Sequence, residues 1–143
     1  MPKTIPKREN YQDYQKDSPL TRIGVYQATL TGENLAENNI DYSLVICSPS
    51  LRCLQTCDAV LKASKKSFLH IAIEPGIHDK MNQEKWLTEK ELISAGFYIK
   101  TDYKPYRSVE TLYSKPIETF ADYFERNGFV INEILKKANK EGL

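Results

Sequence analysis

Long hydrophobic runs are missing from this chain, and so is any strong excess of one charge. A membrane-spanning helix needs about 20 consecutive apolar residues, and no segment approaches that length. The residues from Met1 to Arg8 are polar and contain no apolar core, so we expect no signal peptide. A formal net charge of +1 gives no general electrostatic reason to bind nucleic acid or a membrane surface. We therefore expect a cytoplasmic protein.

Cysteine and histidine are also scarce. The three cysteines are Cys47, Cys53 and Cys57, and an odd count without a secretion signal argues against a disulfide framework. Their spacing matches no common zinc pattern, and only two histidines, His70 and His78, could complete one. We expect free thiols that are buried or half-buried, with no metal and no cofactor.

The composition is that of an ordinary globular domain, with 41% hydrophobic and 27% charged residues among 143. This length suits one domain with a hydrophobic core. Helical and strand-like segments alternate in the first half: a helix from Thr21 to about Glu37, a strand over 42–47, a helix from Ser50 or Leu51 to about Lys65, and a strand over 68–73. This order predicts parallel strands in an α/β fold.

The flanking segments are more polar. We predict that residues 1–19 form an extended arm that either packs on the body of the domain or frays. Residues 77–115 are predicted to be a long irregular loop, interrupted by a capping-box helix at Thr88–Ala95 and a short strand at 97–100. Apolar residues at helical spacing predict a last helix from about Pro116 to Lys140.

Only two strands are strongly predicted, and both are apolar without alternation, which is typical of strands covered on both faces. A two-stranded parallel sheet makes a poor core. We therefore expect that strands which should pair with these two are absent. We also expect self-association, because an uncovered apolar sheet edge is a template for pairing with another chain.

The run from Cys47 to Thr56 carries the most specific chemistry. It joins the first predicted strand to a helix through a Ser-Pro-Ser turn and places Arg52 in the first helical turn. Backbone N–H groups at a helix start favour an anion, and a guanidinium can hold two phosphate oxygens at once. Arg52 is thus a candidate phosphate-binding residue. The alternative from residue type alone is an ion pair at the start of the helix.

Three segments resemble the histidine phosphatase (phosphoglycerate mutase-like) superfamily. The closest resemblance is to the phosphatase domain of the suppressor of T-cell receptor signalling group, also called ubiquitin-associated and SH3 domain-containing proteins. The segments are Tyr14–Ala28, with its Pro-Leu-Thr and Gln-Ala pairs; Ser48–Thr56; and Ile73–Ile77, followed by Lys85-Trp86 and by Thr101–Tyr106.

The resemblance implies a phosphoryl-transfer site with four parts. These are an Arg-His-Gly motif bearing the nucleophile, a second arginine, a carboxylic acid that protonates the leaving group, and a second histidine. Arg52 matches the second arginine, and Asp79 stands at the general-acid position. No Arg-His-Gly occurs in the chain. His70 and His78 stand elsewhere, and we do not expect His78 to replace a nucleophile that must point in line at phosphorus.

From the resemblance we expect an α/β, three-layer, phosphoglycerate mutase-like fold that is incomplete, with the first and last core strands absent. Residues 1–19 would be the arm and residues 20–143 a partial domain. The implied function is a histidine phosphatase-like protein without activity of its own, which binds a phosphorylated ligand or phosphoprotein through Arg52. The alternative is a fragment of an active phosphomonoesterase, of the protein tyrosine phosphatase-like type. An active enzyme with replaced residues ranks last. Taken alone, Asp79 also fits an exposed loop carboxylate.

Overall fold

The computed structural model describes residues 5–79, 85–114 and 117–141. Over these residues the chain forms six α-helices, two strands and a 3₁₀ turn. In chain order they are α1 (Tyr11–Lys16), α2 (Arg22–Glu37), β1 (Val45–Cys47), α3 (Leu51–Ala63), β2 (Ile71–Ile73), the 3₁₀ turn (Pro75–Ile77), α4 (Glu89–Ser94), α5 (Val109–Tyr113) and α6 (Phe120–Glu141).

Side-chain caps begin the helices where the sequence predicts them. The Thr21 hydroxyl accepts a hydrogen bond from the Gly24 N–H at 3.1 Å and so starts α2. Thr88 and Glu91 form a reciprocal capping box that starts α4. Gly96 follows α4 with a φ of +93°, a backbone conformation that glycine adopts without strain. The predicted helices at these positions are confirmed.

The two strands pair in parallel, with Val45 opposite Ile71 and Cys47 opposite Ile73. Both are shorter than the predicted runs. The chain before β2 is a turn, in which the Leu69 N–H donates to the Lys66 carbonyl at 2.9 Å. Residue Ile99 adds an isolated parallel bridge to Ile71, where the sequence predicts a short strand.

The sheet lies between helices. Val45 and Cys47 face a core that continues into α3 and α4, and α2 packs on the outer side of α3. Successive side chains of a strand point to opposite faces, so Ile46 faces the other way, where it lines a cavity with Ile134 of α6. The buried apolar cluster comprises Cys47, Leu51, Leu54, Leu61, Ile71, Leu87, Leu92, Phe97 and Ile99.

The prediction of an extended N-terminal arm is wrong in part. Helix α1 lies within it, and the Tyr14 hydroxyl donates to the Pro6 carbonyl at 2.8 Å, which folds the segment back on itself. Asp17, at its end, is fully buried. The arm is therefore part of the folded body, because its polar groups find partners there rather than in water.

The second half differs from prediction at two helices. Helix α5 lies within the segment predicted as irregular, where the Ser108 hydroxyl caps the Thr111 N–H at 3.3 Å. Helix α6 begins at Phe120 rather than near residue 116, which lies outside the described residues. Thr119 and Asp122 cap each other reciprocally and set that start. No helix in the described ranges is long and apolar enough to cross a membrane.

Candidate phosphate-binding site

The turn between β1 and α3 is closed by hydroxyl contacts to one histidine. Ser48 and Ser50 are buried, and each hydroxyl lies 3.1 Å from Nδ1 of His78. His78 follows the 3₁₀ turn after β2, so parallel pairing brings the ends of the two strands together. The Ser-Pro-Ser turn is thus tied to the segment that precedes Asp79.

The start of α3 is already occupied by a carboxylate. Oδ1 of Asp17 accepts a hydrogen bond from the Leu51 N–H at 2.7 Å, and Oδ2 forms an ion pair with Arg8. Burial nevertheless raises the pKa of Asp17, against the lowering effect of these two partners. An anion held at this turn could not use the Leu51 N–H. The carboxylate of Asp17 is itself an anion at the helix start, where N–H groups favour one.

Arg52 lies half-buried at the same turn. Burial and then the charge of Arg52 lower the pKa of His78, and the same charge opposes the burial that raises the pKa of Asp17, so the guanidinium lies near the Ser48–Ser50 turn. Among the described residues, no carboxylate forms an ion pair with it. The alternative of a helix-start ion pair is not what the structure shows, and the guanidinium remains available to an anion. Its phosphate-binding role stays a prediction.

His78 is a neutral side chain at pH 7. Its exposed fraction is 0%, and its pKa is lowered to about 4, first by burial and then by the charge of Arg52. The Trp86 ring meets it edge-on at a centroid distance of 4.7 Å. A buried imidazole held by two serine hydroxyls is a structural group and is poorly placed to attack a substrate.

The other histidine lies apart from this cluster. His70 is exposed, precedes β2, and stacks on the Tyr98 ring at 6.0 Å. It is therefore at the opposite end of β2 from the turn that holds Arg52. The structure does not bring it together with any of the predicted site residues.

An arginine that the sequence analysis missed holds the segment before Asp79. Arg126 of α6 donates to the carbonyl of Gly76 at 2.8 Å and to that of His78 at 2.9 Å. Glu118 binds the same guanidinium with both carboxylate oxygens, at 2.7 and 2.9 Å. Both side chains are more than nine-tenths buried. The sequence signal that could have found Arg126 is its position one helical turn before Val130, on the buried face of α6.

Glu74 is a second buried carboxylate, and it organises the long loop. Its oxygens accept from the N–H groups of Gly76 at 2.8 Å, Tyr106 at 2.7 Å and Arg107 at 3.2 Å, and from the Tyr103 hydroxyl at 2.9 Å. Burial and the Glu74 charge raise the pKa of Tyr103 above its ordinary value. Glu74 is thus a structural residue at the end of β2.

Asp79 is exposed and ends the first described range. Its carbonyl oxygen lies 3.4 Å from Nη2 of Arg126, so the backbone here is fixed by α6. The residues that follow, 80–84, lie outside the described residues. The general-acid role of Asp79 stays a prediction.

The cysteines are free thiols, as predicted, with Cys47 buried and Cys53 and Cys57 half-buried. A hydrogen bond with Cys57, followed by burial, raises the pKa of Cys47, which keeps that thiol protonated and unreactive. Within the described ranges, no group of three histidine, cysteine or carboxylate side chains is arranged to hold a metal ion.

A separate cavity of about 410 Å³ lies on the far side of Arg126, against α5 and α6. Arg107 and Arg126 line it, but so do the carboxylates of Glu118, Asp122 and Glu125. Neither Arg52 nor Asp79 is among its lining residues. Three acidic side chains disfavour a phosphate there. Arg52, rather than this cavity, is therefore the candidate phosphate site.

Comparisons with known proteins show the family and the fold of this chain. The model of the family described as histidine phosphatase superfamily (branch 1) matches residues 3–143. Ecdysteroid-phosphate phosphatase of Drosophila melanogaster is 40% identical over 96% of the chain, which covers 19% of that protein. Human ubiquitin-associated and SH3 domain-containing protein B is 34% identical over 99% of the chain and is covered over 23%. The chain thus spans about a fifth of the length of these relatives.

A solved structure confirms the predicted fold. The ecdysone phosphate phosphatase of Bombyx mori, determined in complex with tungstate, superposes with a TM-score of 0.86 at 29% identity. The match covers 97% of this chain and 55% of that one. The three-layer α/β arrangement and the small parallel sheet therefore have a direct counterpart, and a large part of that counterpart lies outside the match.

Proposed function

This chain belongs to the histidine phosphatase superfamily, and we propose that it binds phosphorylated ligands through Arg52 without hydrolysing them on its own. The observation that carries the proposal is the Arg52 guanidinium. It lies at the turn after β1, is accessible to solvent, and has no ion-pair partner among the described residues. An arginine in this state costs little to pair with a phosphate dianion.

The local charge pattern supports an anion at this position. His78 is neutral and so leaves Arg52 as the cation of the turn. Asp17 lies nearby, but its charge is directed to Arg8 and the Leu51 N–H. Oxygens of a phosphate at Arg52 would therefore meet one full positive charge. We infer weak binding, because a single guanidinium makes at most two of the contacts that a phosphate accepts.

We expect no turnover because neither histidine of the chain is placed to act as the nucleophile. The 143 residues contain no Arg-His-Gly motif, and their two histidines are His70 and His78. His70 lies at the other end of β2, and His78 is fully buried with Nδ1 next to two serine hydroxyls. Neither is positioned for in-line attack on a phosphate held by Arg52.

We further propose that the physiological ligand is a phosphorylated small molecule or a phosphoprotein in the cytoplasm. Human and mouse relatives carry ubiquitin-associated and SH3 domains in their names, and insect relatives are named for a steroid phosphate. Both classes of ligand present a phosphomonoester to the protein. Arg52 alone does not discriminate between them.

A second candidate is that these residues form part of an active phosphomonoesterase. The coverage of 55% of the solved Bombyx mori chain favours it, because a matching nucleophile would then lie in the unmatched part. In that case Asp79 would protonate the leaving group while Arg52 held the transferred phosphoryl group. Both candidates assign the same role to Arg52 and differ in the source of the nucleophile.

Tungstate binding and hydrolysis test the proposal together. Tungstate, a phosphate mimic, would be titrated into the 143-residue chain by calorimetry, with Arg52→Ala as the test variant and Arg22→Ala as control. Arg22 is exposed at the start of α2, so Arg22→Ala removes the same charge as Arg52→Ala from a different place. We expect weak binding that Arg52→Ala abolishes and Arg22→Ala retains. p-Nitrophenyl phosphate should be hydrolysed no faster by the chain than by Arg52→Ala.

Two results would contradict the proposal. Tungstate affinity that is equal in the chain and in Arg52→Ala would remove Arg52 from the site. Hydrolysis that depends on Arg52 would show that the chain has a working nucleophile, and the active-enzyme hypothesis would replace the binding one.

A further inference from the structure

The three cysteines form one cluster beside the turn after β1. Cys47 ends β1, and Cys53 and Cys57 lie on α3, where both pack against the core that contains Cys47. The thiols of Cys47 and Cys57 are in hydrogen-bond contact with each other. Anion binding at Arg52 assigns no role to this pair of thiols.

Cys57 is the more reactive member of the pair. Its hydrogen bond with Cys47 lowers the pKa of the Cys57 thiol, although burial and the charge of Asp58 act in the opposite direction. Thiolates rather than thiols react with peroxides. Cys57 is half-buried, so it is also more accessible to a small oxidant than the buried Cys47. We therefore expect an oxidant to react first at Cys57.

Cys47 has the opposite properties. Only 6% of the residue is exposed, and the same hydrogen bond, followed by burial, raises the pKa of its thiol. Cys47 therefore stays protonated and does not react with an oxidant from solution. It is nevertheless held against the Cys57 sulfur, and a thiol fixed beside an oxidised sulfur reacts with it far faster than a thiol in solution does.

Cys53 is a poorer partner for Cys57, although both lie on α3. Its thiol makes a hydrogen bond with Ser48, and burial raises its pKa against the charge of Arg52. Residues four apart on a helix have Cβ atoms about 5–6 Å apart, whereas a disulfide requires about 3.5–4.5 Å. The helix therefore holds Cys53 and Cys57 too far apart to be bridged, and Cys47 is the partner that the fold offers to Cys57.

We propose that Cys47 and Cys57 form a site of reversible oxidation, at which a peroxide joins the two sulfurs in a disulfide. The Cys57 thiolate attacks one peroxide oxygen, the O–O bond breaks, and the departing oxygen leaves as water once protonated. The sulfur of Cys47 then attacks the Cys57 sulfenic acid, and the S–O bond breaks with loss of a second water that carries the Cys47 proton. Two thiols are oxidised and one peroxide is reduced. A dithiol reductant restores both thiols by exchange.

The disulfide would join the two ends of the segment that carries Arg52. Cys47 precedes the Ser-Pro-Ser turn and Cys57 lies in the second turn of α3, so the bond would tie the end of β1 to the helix. Where a compartment keeps thiols reduced, disulfides are usually transient and catalytic or redox-sensing. The free thiols of this structure are the reduced state of the pair. The inference does not rest on anion binding by Arg52, so either proposal can fail without the other.

Peptide mapping after treatment with hydrogen peroxide tests the proposal. The reduced 143-residue chain would be oxidised at pH 7, alkylated, and digested with trypsin without reduction. Cleavage after Arg52 separates the peptide that contains Cys47 from the peptide that contains Cys53 and Cys57, so mass spectrometry detects a bridge between β1 and α3. Cys47→Ser and Cys57→Ser are the test variants, and Cys53→Ser is the matched control. Thermal melts establish that each variant still folds.

We expect the number of free thiols to fall from three to one, with recovery of all three in dithiothreitol. Cys53→Ser should form the same bridge at the same rate, whereas Cys57→Ser should form none. Cys47→Ser should instead accumulate a sulfenic acid at Cys57, which dimedone captures. In denaturing urea the fold no longer selects the partners, so we expect a mixture of the three pairings.

Three results would overturn the proposal. The first is a folded chain that keeps all three thiols in peroxide. The second is a bridge between β1 and α3 that persists in Cys57→Ser, because Cys53 would then be the partner of Cys47. The third is the same mixture of pairings in the folded chain and in urea, which would mean that the fold does not select Cys47 and Cys57.

Discussion

Two regions of this molecule differ in how their side chains are satisfied. In the first, the polar side, buried charged groups have partners; in the second, the open side, apolar side chains remain exposed. Around the ends of the strands, Glu74 and the pair of Glu118 and Arg126 are buried, with their charged atoms matched to N–H donors or carbonyl acceptors. Along α6 and the outer edge of β1, by contrast, aromatic and aliphatic side chains remain exposed. Folding ordinarily produces the reverse, with apolar groups buried first and charges left in water.

The difference shows which contacts this stretch of chain makes for itself. Glu74, Glu118 and Arg126 pair with groups on the described segments, and these contacts fix the described backbone around residues 74–79 and 103–107. On α6, Phe124, Ile131 and Leu135 remain largely exposed among the described residues. A site can therefore be locally organised while the core around it is incomplete, and local order at Arg52 does not imply a complete catalytic centre.

The largest effect on stability is expected from a substitution of Glu74, on the polar side. Replacing it with alanine leaves four donors without their acceptor, three of them backbone N–H groups. Buried donors that lose a charged acceptor cost more than an ordinary hydrogen bond, so we expect the free energy of unfolding to fall by about 4 kcal/mol. Urea denaturation followed by circular dichroism measures the change.

Glu89→Ala is the matched control, because Glu89 is exposed at the start of α4. It should leave the urea midpoint nearly unchanged. A Glu74→Ala midpoint equal to that of the control would mean that the polar side is not the closed, self-sufficient region described above.

The pH dependence of stability is the next largest effect, and it originates at His78. The pKa of His78 is about 4 in the folded chain and near 6.5 when unfolded. As the pH falls below 6.5, the unfolded chain takes up a proton that the folded chain refuses until about pH 4. Acidification through this window should therefore lower the free energy of unfolding by about 3 kcal/mol. Urea melts at pH 7 and pH 4.5 measure most of it.

His78→Asn removes the titrating ring and should flatten this part of the pH profile, while His70→Asn at the exposed histidine should not. The raised pKa of Asp17 acts in the opposite direction near the acidic end of the window and partly offsets the loss. Equal slopes for the chain and for His78→Asn would exclude His78 as the source.

The sequence predicts most of the helices and the strand pairing, but few of the contacts on the polar side. Thr21 and Thr88 mark helix starts because a capping hydroxyl acts within three residues of itself, and a single sequence contains that information. The parallel pairing follows from element order. The Asp17 contact to Leu51 spans 34 residues, and Arg126 reaches back 50 residues to Gly76. Contacts between residues so far apart along the chain leave no periodic pattern in the sequence.

The candidate site divides in the same way. Arg52 is recognisable because the Ser-Pro-Ser turn and its arginine are contiguous. His78, Glu118 and Arg126 become neighbours only after the strands pair and α6 packs across the 3₁₀ turn. The burial of His78 against Trp86 cannot be predicted from its sequence neighbours.

The smallest expected effect tests whether α6 is open, because the same substitution has opposite signs at a closely packed glycine of α2 and at an open glycine of α6. Gly32→Ala places a Cβ 2.5 Å from the Val60 carbonyl oxygen, a backbone atom that cannot move away easily. We expect it to lower the free energy of unfolding by about 2 kcal/mol. Gly128→Ala adds a Cβ where no described atom lies within 4 Å, and alanine favours the helix. It should raise the free energy of unfolding by about 0.7 kcal/mol.

Urea melts of the two alanine variants, run beside the unmodified chain at pH 7, give both signs in one experiment. Each variant is the other's control, since both convert a helical glycine to alanine. Destabilisation by Gly128→Ala would mean that a neighbour already packs on α6 in the isolated chain, and the open side would then be closed. Stabilisation by both would remove the close approach of α3 to α2. Opposite signs would show that α3 closes on α2 at Gly32, whereas no described atom packs closely on α6 at Gly128.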